Sequence, residues 1–176
     1  MNIMRNSEES RQGLINLVNF IGKEGLTMLE IGSYLGESTA IFLKTGSFVK
    51  IHCLDFWSGG YDPKDYASSH MSGVESKFDY FAKNHPEKIN KIKANSLEIP
   101  NLFDDDYFDF IYIDGDHSYE AVKRDIANCL PKLKKNGYIA GHDYGYSLFN
   151  VKQAVDETVG IPDGVFCDNS WVKKIL

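Results

Sequence analysis

Two histidines and three aspartates crowd into two short stretches, Asp114-Gly115-Asp116-His117 and His142-Asp143. Each stretch ends an apolar run, FDFIYI in the first case and GYIAG in the second. If those runs are neighbouring parallel strands, both sets of side chains arrive at one end of one sheet. Carboxylates held that close repel each other, and a protonated histidine or a divalent cation relieves the repulsion. His117 lies three residues past its strand, at the start of a helix, so its ring can face a cleft there. Its unperturbed pKa of about 6.5 suits a group that takes a proton near neutral pH.

A second concentration lies upstream, in Glu30-Ile-Gly32-Ser33-Tyr34-Leu35-Gly36. The glycines permit a tight turn and a close approach of backbone to a ligand. A helix starting near Glu37 aims its free N–H groups at the same place. The spacing is G-x-x-x-G, not the G-x-G-x-x-G of dinucleotide sites. An acid two places before the first glycine also suits an amine better than a phosphate. Asp55 follows the next apolar run, and a carboxylate there can accept hydrogen bonds from both hydroxyls of a ribose. Phe56 and Trp57 can pack on an adenine face, though Trp57 reads equally as a core residue. Asn95 and Ser96 are small polar groups suited to an adenine edge.

These residues need a frame. Residues 7–22 read as an amphipathic helix, with Ser7 as its cap and Leu14, Leu17, Val18 and Ile21 on one stripe. Strands are expected at 27–33, 48–57, 89–96, 108–115, 136–144, 164–168 and 170–176, and further helices at 37–45, 71–84, 118–131 and 151–160. A polar loop fills 58–70. Such alternation predicts a single α/β domain over 1–176, a doubly wound and mostly parallel sheet. The last two strands form a hairpin, so one edge strand is expected to run antiparallel.

Bulk properties exclude several classes. The 176 residues carry a net charge of −6, and the one basic cluster is Lys132, Lys134 and Lys135. A nucleic-acid partner is not expected from that balance. Cys53, Cys129 and Cys167 have neither the number nor the spacing of a disulfide framework or a zinc site. The first residues lack the apolar core of a signal peptide, and no apolar run approaches the roughly 18 residues of a membrane span. A cytoplasmic protein without a membrane partner is the expectation.

EIGSYLGEST, with an acid after the second strand, is similar to motif I and the ribose acid of class I S-adenosylmethionine-dependent methyltransferases. FDFIYIDGDHSYEAVKRDI followed by LKKNGYIAGHDY resembles the small-molecule and sugar O-methyltransferases related to macrocin O-methyltransferase. The resemblance spans roughly residues 27–160. It implies a Rossmann-like fold of seven strands, the C-terminal one antiparallel, and S-adenosyl-L-methionine as cofactor. Glu30 would hold the methionine amino group, directly or through water. Gly32, Ser33 and Gly36 would line the methionine and ribose, Asp55 would bind the ribose, Phe56 and Asp114 would border the cofactor, and Ser96 would approach the adenine. In metal-dependent relatives the acid after the fourth strand and two residues after the fifth bind Mg²⁺, which maps to Asp114, His142 and Asp143. Relatives usually have an acid where His142 stands, and magnesium prefers oxygen ligands. His117 and Asp116 fall where relatives place a general base.

The expected reaction is O-methylation of a small hydroxylated acceptor such as a sugar. A cofactor-binding protein of this fold without turnover is one alternative. A nicotinamide-dependent oxidoreductase is another, against which the missing dinucleotide fingerprint speaks. About 26 residues precede the first strand, so the acceptor pocket is expected from 57–72, 144–150 and a partner subunit of a homo-oligomer.

Overall fold

In the computed structural model, residues 8–58, 70–146 and 150–176 are described. The chain runs α1 (Glu8–Ile21), β1 (Leu26–Ile31), α2 (Glu37–Thr45), β2 (Phe48–Asp55), α3 (Val74–Ala82), β3 (Ile89–Lys93), α4 (Ile99–Leu102), β4 (Phe108–Ile113), α5 (Tyr119–Cys129), β5 (Leu133–Gly141), α6 (Val151–Thr158), β6 (Gly164–Val165) and β7 (Trp171–Lys174). Ser7, expected to cap α1, lies outside the described residues.

The strands form one sheet in the order β3-β2-β1-β4-β5-β7-β6. The chain winds outward from β1 through β2 to β3, then crosses back to β4, so the switch point lies between β1 and β4. Ligands of doubly wound sheets bind at that crevice, beyond the carboxyl ends of the strands. The register sharpens the point. Ile31 pairs with Leu54 on one side and Ile113 on the other, and Ile113 pairs with Gly141. The next residue of each strand path is therefore Gly32, Asp55, Asp114 or His142, and all four emerge at one level.

Helices cover both faces, which is why β1 and β4 read as nearly unbroken apolar runs. Met28, Ile51, Phe110 and Tyr112 pack beneath Leu14, Leu17, Phe42 and Phe78 of α1, α2 and α3. Leu29, Ile31, Leu54, Ile111 and Ile113 pack beneath Val122, Ile126 and Val155 of α5 and α6. The alternation assigns Glu30 to the α1–α2 face, and that placement decides its role below.

Most strands end two or three residues earlier than expected, and three regions differ further. β5 starts at Leu133 and ends at Gly141, after a short 3-10 turn at Leu130–Lys132. The antiparallel strand is β7, but it is not at the edge: it lies between β5 and β6. Burial explains the order, because Trp171 and Val172 are fully buried while Val165 of the two-residue β6 is half exposed. Between β3 and β4, where no helix was expected, a 3-10 turn at Ser96–Glu98 leads into the four-residue α4. Asn95 Oδ1 accepts from the Leu97 N–H at 2.9 Å and Glu98 Oε1 from the Asn95 N–H at 2.9 Å, a capping box. One turn is too short for hydrophobic periodicity to reveal.

The core on the α4 side encloses His52 of β2, which meets Phe103, Tyr107 and Phe108 edge-on. Burial, with Lys50 nearby, holds its pKa below the ordinary value. A folded-state pKa below the unfolded one means the unfolded chain binds more protons in that window. His52 therefore stabilises the fold fully above about pH 6.5 and loses that contribution as pH falls toward its folded value. Urea midpoints should drop between pH 7 and pH 5.5, and His52→Gln should flatten that slope. An equal slope in both proteins would show that other groups set it.

Candidate active site

The turn after β1 is built from backbone conformations that suit glycine. Gly32 has φ +85° and Gly36 φ +83°. A Cβ on Gly32 would lie 2.8 Å from Gly115 Cα and closer still to the Asp114 carbonyl oxygen. The space that this glycine leaves is thus taken by the backbone after β4, rather than by a ligand alone. Gly36 likewise makes room for protein: its Cβ would lie 2.7 Å from the Phe81 ring of α3. Ser33 is buried, and its hydroxyl has no hydrogen-bond partner among the described residues.

Glu30 lies beneath α2. It is fully buried and accepts from Ser38 Oγ at 2.5 Å and from Thr39 Oγ1. Both hydroxyls belong to the first turn of α2, so Glu30 fastens that helix to β1 and does not border the cleft. Cys53, paired with Glu30 across the strands, is held as a thiol: burial and the nearby Glu30 carboxylate push its pKa well up.

Asp55 borders a cleft of about 200 Å³ together with Gly32, Phe56, Ser96, Asp116 and Asp125. Its two oxygens accept from the backbone N–H groups of Tyr34 at 2.8 Å and Trp57 at 2.7 Å. The carboxylate is thereby fixed in direction across the turn. Phe56 is 46% exposed, whereas Trp57 is buried against Phe78 and donates its indole N–H to the Tyr34 carbonyl at 2.9 Å. Of the two aromatics, only Phe56 is placed to cover a ligand. Much of 57–72 and part of 144–150 lie outside the described residues.

The acid–histidine cluster forms, but with different partners from those expected. His117 Nε2 lies 3.4 Å from Asp114 Oδ1 and 3.1 Å from Asp143 Oδ2. These three groups offer ligand atoms within 4.8 Å of one another. His142 is not the third member. Its Nδ1 lies 3.0 Å from Asp143 Oδ1, and its Nε2 turns toward Asp168, 4.0 Å away. The reason is local: Asp143 adopts φ +60°, and the Tyr144 N–H bonds to the Asn169 carbonyl, drawing the chain toward the β6–β7 turn. Each Asp143 oxygen thus already meets an imidazole. Two carboxylates and one imidazole do not fit the all-oxygen preference of magnesium. Because Nε2 of His117 faces two carboxylates, it is a nitrogen that carries a hydrogen.

Asp116 borders the cleft, and its Oδ1 accepts from the Ser118 N–H at 2.8 Å, so it braces the turn that leads into α5. Asp125 was not anticipated. It lies on the buried face of α5 with Val122 and Ile126, is 1% exposed, and borders the same cleft. An acid on an otherwise apolar helix stripe was the available signal. Burial raises its pKa, against the opposing pull of the Ser96 hydroxyl and Arg124. On the far side, Tyr144 OH donates to Asp156 of α6 at 2.6 Å and so ties the segment after β5 to that helix.

A family model described as a methyltransferase domain matches residues 29–144. An uncharacterized protein of Acanthamoeba polyphaga mimivirus is 27% identical over 140 residues, 74% of this chain. The chain spans 57% of that relative's length. Among solved structures, the O-methyltransferase NovP superposes with a TM-score of 0.67 at 17% identity, over 93% of this chain and 76% of that one. A Methanococcus maripaludis protein assigned to the S-adenosyl-L-methionine-dependent methyltransferases gives 0.64 at 18%, over 96% and 87%. Spermidine synthase from Thermotoga maritima gives 0.63 at 17%, over 99% and 61%. At such identities the likeness to solved structures is one of fold.

Proposed function

Since this chain belongs to the methyltransferase domain family, we propose that it uses S-adenosylmethionine to methylate a hydroxyl of a small acceptor such as a sugar, with His117 as the base. The observation that carries this reading is the His117 ring, next in the chain after Asp116 of the cleft and held through Nε2 by Asp114 and Asp143.

When bound, S-adenosylmethionine supplies a methyl group on a sulfonium whose thioether leaves neutral, so no acid is needed at the leaving group. The residues of the chain then have three tasks. Asp55 accepts the two ribose hydroxyls, and Phe56 covers the adenine. The buried Ser33 hydroxyl is an orphan that a polar group of the cofactor would satisfy. His117 takes the acceptor proton while the hydroxyl oxygen forms its bond to the methyl carbon and the carbon–sulfur pair returns to sulfur. Asp116, engaged at the start of α5, serves the fold of the turn and is the lesser candidate.

Among the described residues no helix is long and apolar enough to cross a membrane. The free thiols Cys53, Cys129 and Cys167 accord with a reducing compartment, and the cytoplasm is the location we favour.

Asp55→Ala should weaken binding of S-adenosylhomocysteine by about 1.5–3 kcal/mol, because two ribose hydroxyls lose their acceptor. Calorimetry with unchanged affinity would remove Asp55 from the cofactor site. The reaction is tested with methyl-labelled cofactor, a panel of polyhydroxylated acceptors and excess EDTA. Label in a methyl ether supports the reading; label solely in methylated amines, or turnover that EDTA abolishes, counts against it.

A further inference from the structure

Asp168 lies outside the matched residues 29–144, on the turn between β6 and β7, yet it reaches toward the acid–histidine cluster. Its side chain is 1% exposed. One oxygen, Oδ1, belongs to the turn: it accepts from the Ser170 N–H at 3.1 Å and from the Ser170 hydroxyl at 2.6 Å. The other, Oδ2, faces Nε2 of His142 at 4.0 Å. That nitrogen is buried and has no hydrogen-bond partner among the described residues.

Two further features hold the approach. Gly13 is a buried glycine inside α1, where alanine is ordinarily the better residue. A Cβ there would lie 2.7 Å from Asp168 Cβ and closer still to the carboxyl group, so the helix forgoes a side chain where this acid is seated. The Tyr144 N–H, bonded to the Asn169 carbonyl at 3.1 Å, ties the segment after β5 to the same turn. From His142 the contacts run inward. Its Nδ1 lies 3.0 Å from Asp143 Oδ1, and Asp143 Oδ2 lies 3.1 Å from His117 Nε2.

We propose that Asp168 is a positioning residue for the reaction: from the β6–β7 turn it orients the His142 ring, which holds the Asp143 carboxylate and through it His117. This rests on the reading of His117 as the base. A flat side chain with a contact at each edge has little freedom to rotate, and a reacting group is held best when its neighbours are themselves held. A role in the turn alone uses only Oδ1. It does not account for Oδ2, buried and aimed at a ring nitrogen.

Asp168→Asn separates the two roles, because the carboxamide oxygen can still accept from Ser170 while an NH₂ group replaces Oδ2. The probe is the full chain labelled at its histidine ring nitrogens, observed by NMR at one fixed pH, with signals assigned from His142→Gln and His117→Asn. The ring signals of both His142 and His117 should shift in Asp168→Asn, with the affinity for S-adenosylhomocysteine close to wild type. Gly13→Ala, a change that favours most helices, should shift the same signals, because its methyl claims the space of the carboxyl. On the acceptor that the labelling screen identifies, Asp168→Asn should lower kcat by about 10–100-fold while KM stays within about threefold. Added to His117→Ala, it should cost less than about twofold more, since its effect passes through that ring. A His117 signal unmoved in Asp168→Asn overturns the proposal, whatever His142 does, and leaves the base reading standing. An equal further loss of kcat on His117→Ala overturns it too. Wild-type kcat in His117→Ala overturns both.

Discussion

Gly32→Val should abolish measurable cofactor binding, a loss of at least about 100-fold, and should also cost about 2–5 kcal/mol of stability. Two independent physical effects act at this position. The φ of +85° lies where a β-branched residue is strained. The added Cβ would also press into the backbone of Asp114 and Gly115. Neither can move alone, because the Asp114 N–H bonds to Ile31 and the Gly32 N–H bonds to Leu54. Relief must push the end of β4 away from β1, and Gly115 and Asp116 border the cleft. Gly36→Ala is the control. Its added methyl meets the edge of the Phe81 ring, a side chain that can shift, so it should lower the thermal midpoint while leaving far more of the affinity. Gly32→Val binding S-adenosylhomocysteine within threefold of wild type would reduce this stretch to an ordinary strand-to-helix turn.

His117→Ala should lower kcat by about 10²–10⁴-fold on the acceptor that the labelling screen identifies, with cofactor affinity nearly unchanged. The expectation rests on the separation of the two sites. Asp55, Phe56, Ser96 and Asp125 border the cleft, whereas His117 sits beyond them between Asp114 and Asp143. Loss of its ring removes a proton acceptor and leaves two carboxylates facing each other. His117→Asn should restore the packing and not the rate, which distinguishes base chemistry from support. Asp116→Asn should retain most of the rate, since a carboxamide oxygen can still accept from the Ser118 N–H. Wild-type kcat in His117→Ala, with a collapse in Asp116→Asn, would transfer the role to Asp116.

The frame of this molecule was legible because each strand of the parallel sheet is a short apolar run and each is followed by its chemistry. Gly32, Asp55, Asp114 and His142 could be placed at one level before any coordinate, and the register puts them there. What the sequence could not convey was which side chains those ends turn outward. Glu30 has the spacing of a ligand-binding acid, and strand alternation points it under α2, where Ser38 and Thr39 donate to its oxygens. His142 and His117 are equivalent as letters. The turn at Asp143 decides that one faces Asp168 and the other the cluster. Asp125 was hidden by the opposite bias, since a helix stripe is read for its apolar residues and an acid on it passes for an exposed one. α4 escaped because a single turn has no period.

The cofactor itself is the central claim, and titration of the wild-type chain with S-adenosylhomocysteine and, separately, with NAD tests it most directly. Both ligands carry an adenosine that Asp55 could hold by its ribose, but one continues into an amino acid and the other into a pyrophosphate. The turn from Gly32 to Gly36 lacks the dinucleotide spacing, so saturable one-to-one binding of S-adenosylhomocysteine with no saturable binding of NAD is the result expected. Saturable NAD binding without any response to S-adenosylhomocysteine would contradict the account at its root.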